Sequence, residues 1–137
     1  MQSATDVAQA SAGRLWIGRI MSGIAVLFLL FDSIIHILVI TPVVESFAQL
    51  GVPVNLAVPV GVIELCCLVL YLVPRTSTLG AVLLTGYLGG AVATQMRIGA
   101  PLFSTLLFPV YVGILLWGGL YLRDERLHAF FPLRTED

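Results

Sequence analysis

Three ionisable side chains lie inside long apolar runs of this sequence: Asp32, His36 and Glu64. Asp32 and His36 are four residues apart, so on a helix they share a face and can hydrogen-bond to each other. An Asp–His pair next to a second carboxyl group suits proton transfer, with the pair as base or nucleophile and Glu64 as the acid. The sequence therefore predicts Asp32, His36 and Glu64 as catalytic residues.

A later apolar run carries four more polar side chains, Tyr87, Thr94, Gln95 and Arg97. Tyr87 and Thr94 are seven residues apart and fall on one helix face. These four residues are the predicted ligand-binding set. Arg97 has an alternative role as an interface residue whose charged head reaches water. A second interpretation of all these groups is a buried polar network that fixes helix register without reacting.

No cofactor motif is present, and a quinone is the only cofactor that the sequence leaves open. No metal site is predicted, because a single His inside apolar runs gives little on which to build one. Cys66 and Cys67 are adjacent and lack Cys-x-x-Cys spacing, so they are interpreted as buried apolar residues rather than as a redox pair.

The composition excludes an ordinary soluble domain. Of the 137 residues, 58% are hydrophobic and 11% are charged, whereas soluble domains carry about 25% charged residues. A soluble chain this short could not bury so much apolar surface, but a lipid bilayer would cover it. The net charge of −1 gives no indication of a nucleic-acid partner.

Four apolar runs are long enough to span a bilayer, which requires about 20 residues. Pro and Gly residues separate the runs, as expected at helix ends. The predicted fold is an all-α, antiparallel four-helix membrane bundle over residues 14–123. Its spans are residues 15–40, 55–73, 77–96 and 102–122. Residues 1–13 and 124–137 are predicted cytosolic tails, the first of them disordered or weakly helical.

The arginines orient the bundle. Six of the seven fall on one side of the predicted membrane, and only Arg97 falls on the other. The positive-inside rule then places both termini in the cytoplasm. The segment Val43–Pro53 faces outward and is amphipathic, which is typical of a short interfacial helix.

With this topology, a rise of about 1.5 Å per residue brings the polar groups of three spans together in the outer half of the bundle. Two carboxylates are expected to face one Arg and one His there. Gly86 and Gly90 form a small-x-x-x-small pattern, which predicts close packing between helices. Gly118 and Gly119 are interpreted in the same way.

Several stretches resemble the DoxX-like family of small bacterial membrane proteins. They are residues 61–65, 71–76, 80–91, 108–111 and 116–123. The resemblance implies a four-helix bundle in the bacterial inner membrane, with Glu64, Tyr87 and Arg97 in the family's pocket. The family's namesake is associated with a thiosulfate:quinone oxidoreductase, and other relatives act in redox complexes or as membrane chaperones. Gln95 and His36 depart from the residues usual in the family at those positions.

Three functions stay open at this point. The first is an accessory membrane subunit that binds a small lipophilic ligand such as a quinone, an isoprenoid or a lipid, alone, as a homo-oligomer or in a membrane complex. The second is a membrane-embedded isomerase, hydrolase or cyclase that uses Asp32, His36 and Glu64. The third is a structural or chaperone module in which the polar residues only fix register.

Overall fold

The structure, a computed structural model, describes residues 3–131, which form helices and no strand. The predicted all-α fold is confirmed. The helices are α1 (Ala4–Leu38), α2 (Thr41–Leu50), α3 (Ala57–Leu72), α4 (Ser77–Arg97), α5 (Phe108–Arg123) and α6 (Glu125–Phe130). A 3-10 turn (Val54–Leu56) precedes α3, and a π-helical turn (Leu102–Leu106) precedes α5. Residues 132–137 of the predicted C-terminal tail, with Arg134, lie outside the described residues.

Four segments are long and apolar enough to cross a membrane: Ala4–Leu38, Val54–Leu72, Ser77–Arg97 and Leu102–Arg123. They match the four predicted spans except at the start of the first. Helix α1 packs against α3 and α5, and α4 packs against the same two helices. Neighbouring helices run in opposite directions, so the described bundle is antiparallel and both of its ends emerge on one side.

Helix α1 begins at Ala4, eleven residues earlier than the predicted first span. Ser3 caps it by accepting from the backbone N–H of Asp6, and the Asp6 carboxylate accepts from the backbone N–H of Ser3 in return. This reciprocal arrangement satisfies N–H groups that a helix start otherwise leaves unpaired. Of the two predicted alternatives for this segment, disorder is wrong, since residues 4–13 continue α1 as helix.

The core of the bundle is apolar, and so is most of its outer surface. Leu29, Leu68, Leu84, Leu116 and Leu120 are almost fully buried between the helices. Many large apolar side chains point outward from the same helices, among them Ile24, Leu27, Ile63, Val82 and Ile114. Such a surface is stable only in lipid, so the protein is a multi-pass membrane protein.

The end of the bundle that carries Arg14, Arg19, Arg75 and Arg123 is called the basic end here, and it is the predicted cytoplasmic side. Close helix contacts at this end depend on glycine. A Cβ on Gly80 would lie 2.2 Å from the Tyr71 backbone nitrogen, and one on Gly119 would lie 2.2 Å from the Ser22 hydroxyl. The packing predicted for Gly119 is thus confirmed.

The packing predicted for Gly86 and Gly90 is wrong. A Cβ on either residue would meet nothing within 4 Å, and both line an open cavity. The physical reason is that these glycines face the cavity rather than a neighbouring helix, so the missing side chains leave space instead of allowing contact. Gly80, two turns earlier on α4, supplies the close contact instead.

A polar network at the basic end, formed by Ser22, Tyr71 and Arg123, links α1, α3 and α5. The Tyr71 hydroxyl donates to the Leu116 carbonyl at 2.7 Å and lies 2.9 Å from the Ser22 hydroxyl. Arg123 donates to the Ser22 hydroxyl at 3.1 Å, and its guanidinium lies 5.3 Å from the Tyr71 ring centre. We call this the basic-end network.

Helix α2 closes the opposite end, where an amphipathic interfacial helix was predicted. Pro42 occupies its first turn, a position that needs no N–H donor. Val43 and Phe47 are buried and pack with Ala57 at the start of α3. The Arg97 guanidinium donates to the Leu50 carbonyl in the last turn of α2. These contacts attach α2 to the ends of α3 and α4.

A candidate ligand pocket opposite the basic end

A cavity of about 630 Å³ lies between α1, α2, α4 and the π-helical turn before α5. Its apolar wall is formed mainly by Phe28, Leu29, Phe47, Phe108 and Val112. Five of the predicted site residues line it: Asp32, His36, Tyr87, Thr94 and Gln95. The cavity therefore has an apolar body and a polar region that α1 and α4 provide.

Glu64 does not line the cavity and is completely buried, with 0% of its surface exposed. The Tyr87 hydroxyl donates to its Oε2 atom at 3.0 Å. Its other oxygen, Oε1, is buried and has no hydrogen-bond partner among the described residues. A buried polar atom without a partner is uncommon in folded proteins and requires a physical explanation.

The Asp32–His36 pair forms, but through the backbone. His36 Nδ1 lies 2.7 Å from the Asp32 carbonyl oxygen and 3.5 Å from the carboxylate oxygen Oδ2. Because a carbonyl oxygen only accepts, Nδ1 carries the proton and donates. In the neutral imidazole this leaves the lone pair on Nε2. The His36 ring also packs against Phe47 of α2, with ring centres 5.6 Å apart.

Asp32, His36 and Glu64 converge. One nitrogen of the imidazole and one oxygen of each carboxylate all lie within 4.8 Å of one another. We call these three residues the Asp–His–Glu cluster. Two of them come from adjacent turns of α1 and the third from α3, so the antiparallel packing of these helices assembles the cluster.

Arg97 does not join this cluster, although the sequence suggested that one Arg would face the two carboxylates. It follows Tyr87 by ten residues, which separates the two by about 15 Å along α4. Its guanidinium contacts the Leu50 carbonyl, and it forms no ion pair with a described residue. The two carboxylates are thus left without a guanidinium between them.

Gly61 explains why Glu64 and Asp32 meet. A Cβ at Gly61 would lie 2.7 Å from the Ser33 carbonyl oxygen and 2.9 Å from the His36 Cβ. Only glycine therefore allows α3 to approach α1 at this level. Glu64 lies one turn further along α3, on the same face, where it reaches the α1 side chains.

The sequence interpretation missed several residues that shape the pocket. Gly86 and Gly90 create space, Phe47 covers His36, and the hydroxyls of Ser104 and Thr105 line the far wall. Ser104 and Thr105 belong to the π-helical turn just after Pro101, a helix type that often occurs at functional sites. Two consecutive hydroxyl residues after a proline were the available signal for this wall.

The polar residues differ in how much hydrogen-bonding capacity they offer to a ligand. The Thr94 hydroxyl donates to the Gly90 carbonyl at 2.8 Å, so it offers only its acceptor side. The carboxyl group of Asp32 offers acceptors as well, and the Gln95 amide offers both donors and an acceptor. The acceptors of Asp32 and Thr94 suit a molecule that brings hydrogen-bond donors.

The fold and the cavity define a class: a small helical membrane protein with a polar pocket built between its spans. In the comparison with known families, residues 20–119 match the DoxX-like family. This match covers most of the chain, so the protein belongs to the DoxX-like family. It includes all seven predicted site residues and ends before α6. Neither a curated protein nor a solved structure shows a significant match.

Proposed function

We propose that this protein binds a small lipophilic molecule in the cavity, as a redox-linked or lipid-linked accessory subunit of the bacterial inner membrane. The ligand's apolar part would lie against Phe28, Phe108 and Val112. Its polar end would carry hydroxyl groups, as a quinol or an isoprenoid alcohol does. The basic end would face the cytoplasm.

The observation that carries this proposal is the combination of a 630 Å³ cavity with converging polar groups, among them the hydrogen-bond acceptors of Asp32 and Thr94. Ligand pockets commonly enclose about 300–1,000 Å³, with mostly apolar walls and a few converging polar groups. A hydroxyl donor from the ligand would satisfy Asp32 without requiring any further protein group. The surrounding lipid provides a route by which such a molecule can reach the site.

The test uses a pair of adjacent glycines on α4. Gly90 lines the cavity, while Gly89 lines a separate apolar groove between α4 and α5. A Cβ on either residue meets nothing within 4 Å, so Gly90→Leu and Gly89→Leu should both fold. Leu is also a better helix former than Gly by roughly 0.8 kcal/mol. Only Gly90→Leu fills the cavity.

Binding of a short-chain ubiquinol to the detergent-purified full-length protein would be measured by equilibrium dialysis, with the ubiquinone form as a second probe. Gly90→Leu should weaken quinol binding by about tenfold or more, equivalent to about 1.4 kcal/mol. Gly89→Leu should stay within about twofold of the unsubstituted protein. Equal losses in both variants, or no quinol binding by the unsubstituted protein, would exclude the proposed site.

A further inference from the structure

We propose that the Asp–His–Glu cluster is a binding site for a divalent transition-metal ion. This inference goes beyond the lipophilic ligand and does not rest on it, because the cluster binds the ion with protein atoms alone. No such site was predicted from the sequence, since only one His lies inside the spans. Only the packing of α1 against α3 brings the three donors together.

The first argument is geometric. The three donor atoms lie within 4.8 Å of one another. Ligands to a zinc-like ion lie at about 2.0–2.2 Å from it, which puts neighbouring donor atoms roughly 3–3.5 Å apart. Coordination therefore requires these donor atoms to approach one another by up to about 1–2 Å, which rotation of the three side chains can supply.

The second argument is the charge of the cluster. Buried carboxylates are normally paired with a cation or coordinate a metal. No arginine of the described residues reaches these two, because Arg97 contacts α2 and Arg123 belongs to the basic-end network. A divalent ion would balance both carboxylates at once. In addition, it would give Glu64 Oε1 the partner that this completely buried atom lacks.

The outer hydrogen bonds of the cluster are those that orient metal ligands. Ligating His residues usually donate their second ring N–H to a carbonyl or carboxylate, and ligating carboxylates are themselves hydrogen-bonded. His36 donates from Nδ1 to the Asp32 carbonyl, and Tyr87 donates to Glu64 Oε2. A hydrogen bond to a neighbouring group thus orients His36 and Glu64, as is usual for metal ligands.

The donor types indicate the kind of ion. Two carboxylates and one imidazole suit Zn²⁺, Mn²⁺ or Fe²⁺, whereas thiolate donors would be needed to favour Cu⁺. Three protein ligands also leave at least one coordination position open. Asp32 and His36 line the cavity, so that open position would face it.

The experiment measures metal binding by the full-length protein in detergent, without any quinol and with a purification tag that contains no histidine. After treatment with a chelator, the protein is titrated with Zn²⁺ and with Co²⁺, whose visible absorption reports coordination. The bound metal is counted by elemental analysis after dialysis. We expect about one ion per chain and a thermal unfolding temperature that rises with added Zn²⁺.

Glu64→Gln keeps the shape of the side chain and an acceptor for Tyr87, so it isolates the loss of the charged ligand. It should weaken Zn²⁺ binding at least about tenfold, as should Asp32→Asn. The matched control is Glu45→Gln, which removes an exposed carboxylate of α2 and should leave binding unchanged. Size-exclusion chromatography and circular dichroism establish that each variant is folded.

Two results would overturn the metal site: no stoichiometric Zn²⁺ or Co²⁺ binding by the unsubstituted protein, or equal binding by the Glu64→Gln and Glu45→Gln variants. In the first case the two carboxyl groups share a proton instead of an ion. The Gly90→Leu variant separates this proposal from the proposed function, because it should lose quinol binding and retain Zn²⁺ binding.

Discussion

The two ends of the bundle bury polar side chains in different ways. Tyr71 of the basic-end network and Glu64 of the Asp–His–Glu cluster are both 0% exposed. The Tyr71 hydroxyl has two hydrogen-bond partners, from α1 and α5. Glu64 has one satisfied and one unsatisfied oxygen. Burial alone therefore does not separate the two groups, whereas the completeness of their hydrogen bonding does.

Helix α4 shows the same contrast in its glycines. Gly80 lets the backbone of α4 contact that of α3, with no space for a further atom. Gly86 and Gly90 contact no other helix, and the space beside them belongs to the cavity. Glycine thus allows close helix packing at the basic end, and at the other end it leaves space for the cavity.

The largest expected difference in stability between the two ends concerns the substitution of these glycines by alanine. Gly80→Ala places a Cβ against Tyr71 backbone atoms that cannot move aside, and overpacking of this kind costs about 1–3 kcal/mol or more. Gly86→Ala adds a Cβ to open space and gains helix propensity, so it should leave unfolding unchanged or stabilise by up to about 1 kcal/mol. Unfolding in detergent measures both. Equal destabilisation would remove the contrast along α4.

The second expected difference is smaller. It compares the change in unfolding free energy when the Tyr71 hydroxyl is removed with the change when the Glu64 carboxyl group is removed. Tyr71→Phe leaves the buried Leu116 carbonyl without its side-chain donor and should destabilise the protein by about 1–2 kcal/mol. In chelator-treated protein, Glu64→Gln removes a buried ionisable group and keeps the Tyr87 contact. It should therefore leave the free energy of unfolding unchanged or raise it.

Both variants would be compared by unfolding in detergent, with the metal and quinol assays as second measurements. Tyr71→Phe should retain Zn²⁺ and quinol binding despite its lower stability, whereas Glu64→Gln should lose Zn²⁺ binding without a loss of stability. If Glu64→Gln destabilised metal-free protein as much as Tyr71→Phe does, the cluster would be a register-fixing network like the one at the basic end.

The smallest effect concerns a charge outside the membrane, at the start of α6. Hydrogen bonds from the Arg126 side chain lower the pKa of Asp124, whose carboxylate also accepts from the Arg126 backbone N–H. A carboxyl group with a lowered folded-state pKa stabilises the fold above its unfolded value of about 3.9, and this contribution is lost as the pH falls through the lower folded value.

Asp124→Asn should therefore flatten the decline in stability below about pH 4 and cost less than about 1 kcal/mol at pH 7. Thermal unfolding as a function of pH measures this change, with Glu125→Gln as the neighbouring control. If Asp124→Asn and the unsubstituted protein lost the same stability at low pH, the contact between Asp124 and Arg126 would contribute nothing to the stability of the basic end.

The sequence predicted most of the fold, because membrane spans depend on simple quantities. Apolar length and Pro or Gly at the boundaries located spans two, three and four to within two residues at each end. It also placed Asp32, His36 and Glu64 at a common depth, since depth follows from residue count along antiparallel helices. The start of α1 was missed because polar residues lengthen a helix beyond the bilayer without any apolar signal.

The sequence does not indicate which helix faces contact one another. The pattern of Gly86 and Gly90 is the same whether a neighbouring helix or a cavity lies beside it. Arg97 has the right charge for the two carboxylates, but its place at the end of α4 directs it to the Leu50 carbonyl. Ser22, Tyr71 and Arg123 are separated by up to 101 residues, so no local pattern indicates that they form a network.

The early start of α1 has a mechanical consequence. Residues 4–13 extend about 15 Å before Arg14 and are rigidly continuous with the helix that carries Asp32 and His36. A helix with an unbroken backbone hydrogen-bond ladder turns as one body. A spin label or fluorophore attached to this exposed extension would therefore report rotation or tilt of the pocket wall from outside the membrane, without any probe in the pocket itself.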